Sequence, residues 1–375
     1  MHHDYRVFDA DGHVIESEGM WARYIDPAFR DRAPVAPAGY TWVRVDGQWL
    51  PALWDEATMG QVLAGMMDQT RARPSSRFGE AATRGFDPPS QLAAMDREGI
   101  DRGVVYPTQG LYVTAIDGMD PALASAVCRA YNQWVAEFCR ATAGRVAGAA
   151  LVNLHDPAAA VAEARRAVEE LGLRAVFVRP NRHNGRNLHD PAYEPLWSTI
   201  EALGVPLAVH EGSGARLPVT GADRFLNNVL MQHVASHPLE MMCAVESIIC
   251  GGVLERHPRL RVAFLEAGAS WLPYWLWRLD EHFESLGRRD TPDVKLRPSE
   301  YFRRQCFASV ECDEEPLGHA IASIGDDCLM FASDYPHADA KYPHAVETFL
   351  ALPNISEMSR RKLLWENAVR LYDLG

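Results

Sequence analysis

The sequence predicts an α/β protein built as a (β/α)8 TIM barrel, with a long insertion after its first strand. Eight short apolar runs recur along the 375 residues: RVFDA (6–10), GVVYP (103–107), RVAGAAL (145–151), LRAVFV (173–178), VPLAVH (205–210), LRVAFLE (260–266), CFASVE (306–311) and LMFAS (329–333). Most are near-continuous rather than alternating, as strands buried on both faces of a parallel sheet require. Helix-like stretches separate them, which is the barrel rhythm. No GxGxxG follows any of them, so a doubly wound dinucleotide-binding sheet is the weaker alternative.

In chain order, the first strand is followed by an insertion over residues 17–100, too long for an ordinary strand-to-helix connection. Within it, YTWVRVDGQWLP (40–51) reads as a β-hairpin turning at Asp46-Gly47. The stretch RARPSSRFGEAATRGFDPPS (71–90), rich in Pro, Ser and Gly, reads as loop. An insertion on the catalytic face serves as a lid or a dimer contact. Helical patterns follow in PAAAVAEARRAVEELG before the fourth strand and YEPLWSTIEALG before the fifth, the latter closed by Gly204. At the end, Asn354 or Ser356 caps a helix through EMSRRKLLWENAVRLYDL. Residues 1–375 read as a single domain.

Composition narrows the function. A 47% hydrophobic chain can bury a large core, and a net charge of −13 argues against nucleic acid or an anionic membrane as partner. No apolar run approaches the length of a membrane span, and the N-terminus lacks the pattern of a signal peptide. Seven cysteines, odd in number and never spaced CxxC, read as small core residues of a reducing cytoplasm. The negative balance does not exclude an anionic small molecule as partner, because a single arginine or a metal reverses the field locally.

In a barrel of this kind the chemistry sits at the C-terminal strand ends. Those positions give Asp11 and His13 after the first strand, Arg179 after the fourth, His210 after the fifth, Glu266 after the sixth, Glu311 after the seventh and Asp334 after the eighth. Residues i and i+2 of a strand face one side, so Asp11 and His13 can share an ion, with His210 across the mouth and Asp334 on the neighbouring strand. Two imidazoles and two carboxylates suit Zn2+, with Mn2+ as the alternative. Glu266 reads either as a general acid or as a carboxylate supporting a ligand histidine. Arg179 reads as a clamp for a substrate carboxylate or as a salt-bridge partner of Glu211 or Glu311. His237 is a candidate catalytic group or helix cap, and His337, three residues after Asp334, a candidate substrate contact. Glu16 and Glu311 read as supports for the ligands. Trp271, Trp275 and Trp277 read as core or interface aromatics, and His155, His183 and His189 as solvated surface.

With FDADGHVIE, PLAVHEG, GGVLERHPRLRVAFLEAGASWLPYWLWRLDE (251–281), LMFASDYPHAD (329–339) and LLWENAVRLY (363–372) in view, the chain resembles the amidohydrolase superfamily. The resemblance is to its second, amidohydrolase-related branch, which includes aminocarboxymuconate-semialdehyde decarboxylase and γ-resorcylate decarboxylase. It implies a metal-dependent enzyme with Asp11, His13, His210 and Asp334 as ligands, and it suggests a homodimer. Relatives carry His-x-His or Glu-x-His at the first pair, so Asp11 is a variation on the pattern. The larger departure is Glu266, in LEAG, where the aminocarboxymuconate enzyme has an acid–base histidine. The expected reaction is non-oxidative decarboxylation of a small aromatic or unsaturated carboxylic acid, with Asp334, Glu266 and His237 as catalytic groups. The alternatives are hydrolysis by an activated water and a non-catalytic metal- or ligand-binding barrel.

Overall fold

A computed structural model describes residues 4–17, 19–36, 43–50, 77–212, 219–225 and 228–375. Eight parallel strands form one sheet in the order β1 (Phe8–Val14), β4 (Arg102–Pro107), β5 (Val146–Leu151), β6 (Ala175–Val178), β7 (Leu207–His210), β8 (Val262–Leu265), β9 (Cys306–Val310) and β10 (Leu329–Phe331). These are the eight apolar runs of the sequence. β1 and β5 to β10 are buried almost throughout, so the absence of polar alternation has the expected cause. Just beyond β10 the chain returns to β1. The His13 N–H donates to the Tyr335 carbonyl at 2.7 Å, and the Asp334 N–H donates to the Asp11 carbonyl at 3.0 Å.

Helices fill the connections, among them Pro121–Arg140, Pro157–Arg165, Glu194–Leu203, Val229–Cys250 and Leu272–His282. Several start in one way. Asp87, Asp120 and Asp156 each accept backbone N–H bonds at the N-cap, and a proline stands at the start of the helix that follows. Gly204 ends Glu194–Leu203 with φ 70°, as its position in the sequence implies. At the C-terminus the cap is Ser356, whose hydroxyl accepts from Ser359 N–H.

In the insertion, β2 (Val43–Val45) and β3 (Gln48–Leu50) pair antiparallel across Asp46 and Gly47. Both turn residues have positive φ, 48° and 84°, which matches the right-handed twist of the paired strands. Val43, Val45 and Leu50 are buried, and the hairpin packs against Gly110–Val113, the segment after β4. The expected loop over 71–90 needs correction where it is described. Residues Gly79–Thr83 are helical, and the Asp87 cap starts the helix Pro88–Glu98 inside that stretch. Residues 40–42, 51 and 71–76 of the two motifs lie outside the described residues.

Among the described residues, no helix is long and apolar enough to cross a membrane. Cys128, Cys306, Cys312 and Cys328 are buried and unpaired, whereas Cys243 is exposed, contrary to its reading as a core residue.

Candidate metal centre and active site

The site begins with an irregularity in β1. Asp9 pairs with Gly103 and Gly12 with Val105, so β1 carries one extra residue in that interval. Without it, Asp9 and Asp11 would face the same side. Instead, Asp9 takes bonds from the Ser333 N–H and hydroxyl, while Asp11 faces the barrel mouth. The residue between the ligand candidates has to be small: a Cβ on Gly12 would stand 3.0 Å from the Asp9 carboxylate. Burial pushes the Asp9 carboxyl up to about 7.

His13 and His210 are fully buried and oriented by carbonyls. A carbonyl only accepts, so His13 Nδ1–H donates to Pro107 at 3.1 Å and His210 Nδ1–H donates to Glu211 at 2.6 Å. With both rings neutral, their Nε2 lone pairs face one another across 3.2 Å, a repulsive arrangement. Asp11 Oδ1 lies 3.4 Å from His210 Nε2 and 3.8 Å from His13 Nε2, and Asp334 Oδ1 lies 3.4 Å from His13 Nε2.

The unpartnered oxygens are the second observation. Asp11 Oδ1, Glu266 Oε2 and Asp334 Oδ1 are buried side-chain oxygens without a hydrogen-bond partner. Buried carboxylate oxygens are expensive to leave in that state. Asp334 Oδ1 does stand 2.7 Å from His337 Nδ1, but out of hydrogen-bond alignment. Convergent lone pairs and convergent negative oxygens are relieved together by a divalent cation, and two imidazoles with carboxylates form a donor set that Zn2+ and Mn2+ accept. The residues present fit such an ion. Asp11, His13 and His210 form one mutually close group of potential ligands, and His13, Glu266, Asp334 and His337 another.

Backbone geometry singles out two of these residues. Glu266 and Asp334 have φ values of 53° and 55°, a left-handed conformation that glycine adopts at less cost. That strain is of order ~1 kcal/mol per residue and has to be outweighed by surrounding contacts. Around Glu266, the backbone N–H donates to Ser309 Oγ at 2.9 Å, and the Trp271 indole N–H reaches the Ala267 and Gly268 carbonyls. Ser309 in turn donates to Asp11 Oδ2 at 3.3 Å, so one hydroxyl braces two acidic groups of the cluster.

Electrostatically the centre is strained as it stands. Burial, then the neighbouring charge of Asp334, pushes the Glu266 carboxyl up to about 8. Burial also raises Asp334 and takes His13 well below the usual histidine value. For His210, burial is outweighed by the Asp11 and Glu266 carboxylates, and the shift is upward. Likewise His337 rises to about 10, because Asp334 overcomes burial.

The remaining candidates divide. His337 stacks on His13 with ring centroids 3.9 Å apart and bonds Thr108 Oγ1 through Nε2 at 3.1 Å. His237 Nε2 faces Glu266 Oε1 at 3.5 Å. Arg179 is 3% exposed and already committed. It donates to Glu211 Oε1 (3.1 Å), the Leu111 and Gly212 carbonyls, and Asn181 Oδ1. Of the two readings of Arg179, the geometry takes the salt bridge. Glu16 is a correction too: its carboxylate accepts from Gln109 and Gly110 N–H groups at 2.8 Å, bracing the loop after β4 rather than a ligand. So are His155 and His183, which are buried against each other, ring centroids 5.7 Å apart, and not solvated. His189 is exposed, as expected.

A cavity of about 330 Å3 opens beside the centre, lined in part by His233, His237, Glu266, Glu311, Asp334 and Lys341. A larger one, about 540 Å3, is lined by Asn187, His189, Ser247 and Arg256 and shares no residue with the strand-end cluster. The smaller cavity, which Glu266, His237 and Asp334 line, is the one that belongs to the site. Asp9, Ser309, Ser333 and His233 escape a reading of the sequence, because each gains its place from strand register or helix face rather than from a motif.

A parallel barrel with imidazoles and carboxylates converging at its strand ends defines a class, that of barrel enzymes built around a divalent ion. The chain belongs to the amidohydrolase family, whose model matches residues 8–374. Among curated proteins, it is 26% identical over 328 residues to the γ-resorcylate decarboxylase of Polaromonas sp. strain JS666, covering 83% of this chain and 95% of that one. In structure it superposes on an amidohydrolase from Mycobacterium avium subsp. paratuberculosis K-10 with a TM-score of 0.77 at 24% identity, over 100% of this chain and 98% of the other. It also superposes on a dihydroxybenzoic acid decarboxylase from Polaromonas sp. JS666, which holds manganese and the inhibitor 2-nitroresorcinol. There the TM-score is 0.66 at 20% identity, over 99% and 97% of the two chains.

Proposed function

We propose that this protein is a metal-dependent, non-oxidative decarboxylase of a small aromatic or unsaturated hydroxy-carboxylic acid. The observation that carries the proposal is the convergence of three partnerless buried carboxylate oxygens on two Nε2 atoms 3.2 Å apart. The proposed ligands are Asp11, His13, His210 and Asp334. The decarboxylase reading is supported by the 26%-identical γ-resorcylate enzyme, which the chain matches over nearly its whole length. When bound, the divalent ion supplies electrostatic stabilisation for the negative charge that develops as the carboxyl group departs.

The chain's own residues do the rest. Glu266 and His237 stand together on the cavity wall, and we assign the proton to that pair. Their proton passes to the carbon that carries the carboxyl group, the bond to that group breaks, and CO2 leaves. His337, stacked on His13 and bonded to Thr108, is the proposed substrate contact beside Asp334. Ser309 fixes the Glu266 backbone, and Trp271 the turn behind it. The ion is zinc or manganese. We further propose that the described hairpin of the insertion, packed on Gly110–Val113 after β4, belongs to a lid or a dimer contact, and that the protein is a cytoplasmic homodimer. Tyr274 and Trp277, 55% and 61% exposed on one helix, are what a dimer contact would cover.

The test is turnover in D2O by protein loaded with manganese or zinc, on a panel of ortho-hydroxybenzoates. Release of CO2, with one deuterium placed at the vacated carbon, is expected. Hydrolysis of esters or lactones without CO2 release from any acid would replace this reading with that of a hydrolase using an activated water.

A further inference from the structure

A second set of metal-ligating atoms stands outside the four-residue centre. His233 and His237 lie one helical turn apart on Val229–Cys250, their rings stacked with centroids 4.4 Å apart. His237 Nδ1–H is directed to the His233 carbonyl at 3.3 Å, which leaves its Nε2 lone pair facing Glu266 Oε1. One ligand atom from each of His233, His237 and Glu266 falls in a group whose members all lie within 4.8 Å of one another. Asp339 Oδ2 is 3.5 Å from His233 Nε2, and all four residues line the cavity of about 330 Å3.

Two histidines at i and i+4 on one helix face, closed by a carboxylate, form a three-ligand set with one position open, which suits Zn2+. Glu266 belongs to this group and also to the group with His13, Asp334 and His337. A carboxylate has two oxygens, and here they face different ways: Oε2 toward His210 at 3.1 Å and Oε1 toward His237 at 3.5 Å.

We propose that His233, His237 and Glu266 form a second, weaker divalent-cation site, and that filling it arrests turnover. The site is weaker because His233 is half-exposed and Asp339 more so, leaving water to compete for the ion. The arrest follows because the ion takes the two atoms, Glu266 Oε1 and His237 Nε2, that the proposed reaction needs for its proton. Only this second half of the inference rests on the decarboxylase reading. Binding itself does not.

Equilibrium dialysis against zinc, followed by metal analysis, tests the site on wild type, His233→Ala and Asp334→Asn. Wild type is expected to take two equivalents, the second at higher zinc. His233→Ala keeps the first and loses the second, and excess zinc no longer suppresses its turnover. Asp334→Asn loses the tighter equivalent and keeps the weaker. Saturation of wild type at one equivalent that His233→Ala leaves in place would overturn the second site alone. A single equivalent lost in His233→Ala and untouched by Asp334→Asn would overturn the four-residue centre and leave the His233 site standing as the only one.

Discussion

Arg179, Asn181 and Glu211 form one buried polar cluster at the strand ends; Asp11, His13, His210, Glu266 and Asp334 form another. In the first, the guanidinium donates to a carboxylate, a carboxamide and two backbone carbonyls, and Asn181 donates to the second oxygen of Glu211 at 2.8 Å. In the second, three carboxylate oxygens have no hydrogen-bond partner, and two Nε2 atoms face each other. Both clusters are charged and both are buried. The difference lies in completeness: one is finished by the chain alone, whereas the other calls for a cation. A completed cluster contributes to the stability of the folded chain, while an incomplete one costs stability until its ligand arrives.

The contrast is broken most severely by exchanging the two outcomes. Asp334→Asn removes a ligand candidate, so turnover is expected to fall by on the order of 10³-fold in steady-state assays. Arg179→Met does the reverse. It leaves Glu211 buried without its countercharge and is expected to cost about 3–5 kcal/mol in urea unfolding, with metal content per folded molecule kept. Loss of metal in Arg179→Met without loss of stability would erase the distinction between the clusters.

A smaller effect sharpens the comparison. Ser309→Ala removes the hydroxyl shared by Asp11 and the Glu266 backbone, so metal affinity measured by competition with a chelator should weaken by roughly 10–100-fold. No change would mean that the β1 irregularity and the backbone alone orient Asp11.

A pH-dependent effect concerns His183, buried beside the completed cluster. Burial, then the charges of His155 and Arg179, pushes it down to about 3. Its folded value lies below its unfolded value, so it contributes stability that is present above about pH 6.5 and lost as pH falls toward 3. The slope is up to about 1.4 kcal/mol per pH unit in that window. Thermal midpoints of His183→Gln should therefore fall less steeply than wild type between pH 6.5 and 4. Parallel curves would show that His183 takes no part in acid sensitivity.

Much of the barrel was legible in the sequence because its strands are buried on both faces. GVVYP and LRAVFV carry no polar alternation to confuse them with surface strands, and each became a strand of the sheet. The candidate ligands have addresses in the sequence because fold class makes strand ends matter: of Asp11, His13, His210 and Asp334, the structure groups the first three and sets Asp334 3.4 Å from His13. What the sequence hid depends on facts without a local signal. Ser309 sits in CFASVE as an ordinary small residue, and only barrel closure puts it against Asp11. His155 and His183 look like surface histidines until the loops after two neighbouring strands press them together. Arg179 had two readings because a strand-end arginine suits a substrate and a carboxylate equally well, and only the position of Glu211 decides.

The most direct test is the thermal stability of metal-free protein and its response to added manganese, compared between wild type and Asp334→Asn. Removing Asp334 relieves the crowding of carboxylates but also breaks its 2.7 Å pair with His337, so the metal-free midpoint should change little. The substitution should also abolish the stabilisation of about 2.7 kcal/mol that manganese gives wild type at a hundredfold excess over the Kd of the tighter site. A metal-free Asp334→Asn that is markedly less stable than wild type, yet stabilised just as much by manganese, would mean that this cluster is a structural one like that of Arg179 and not a metal centre.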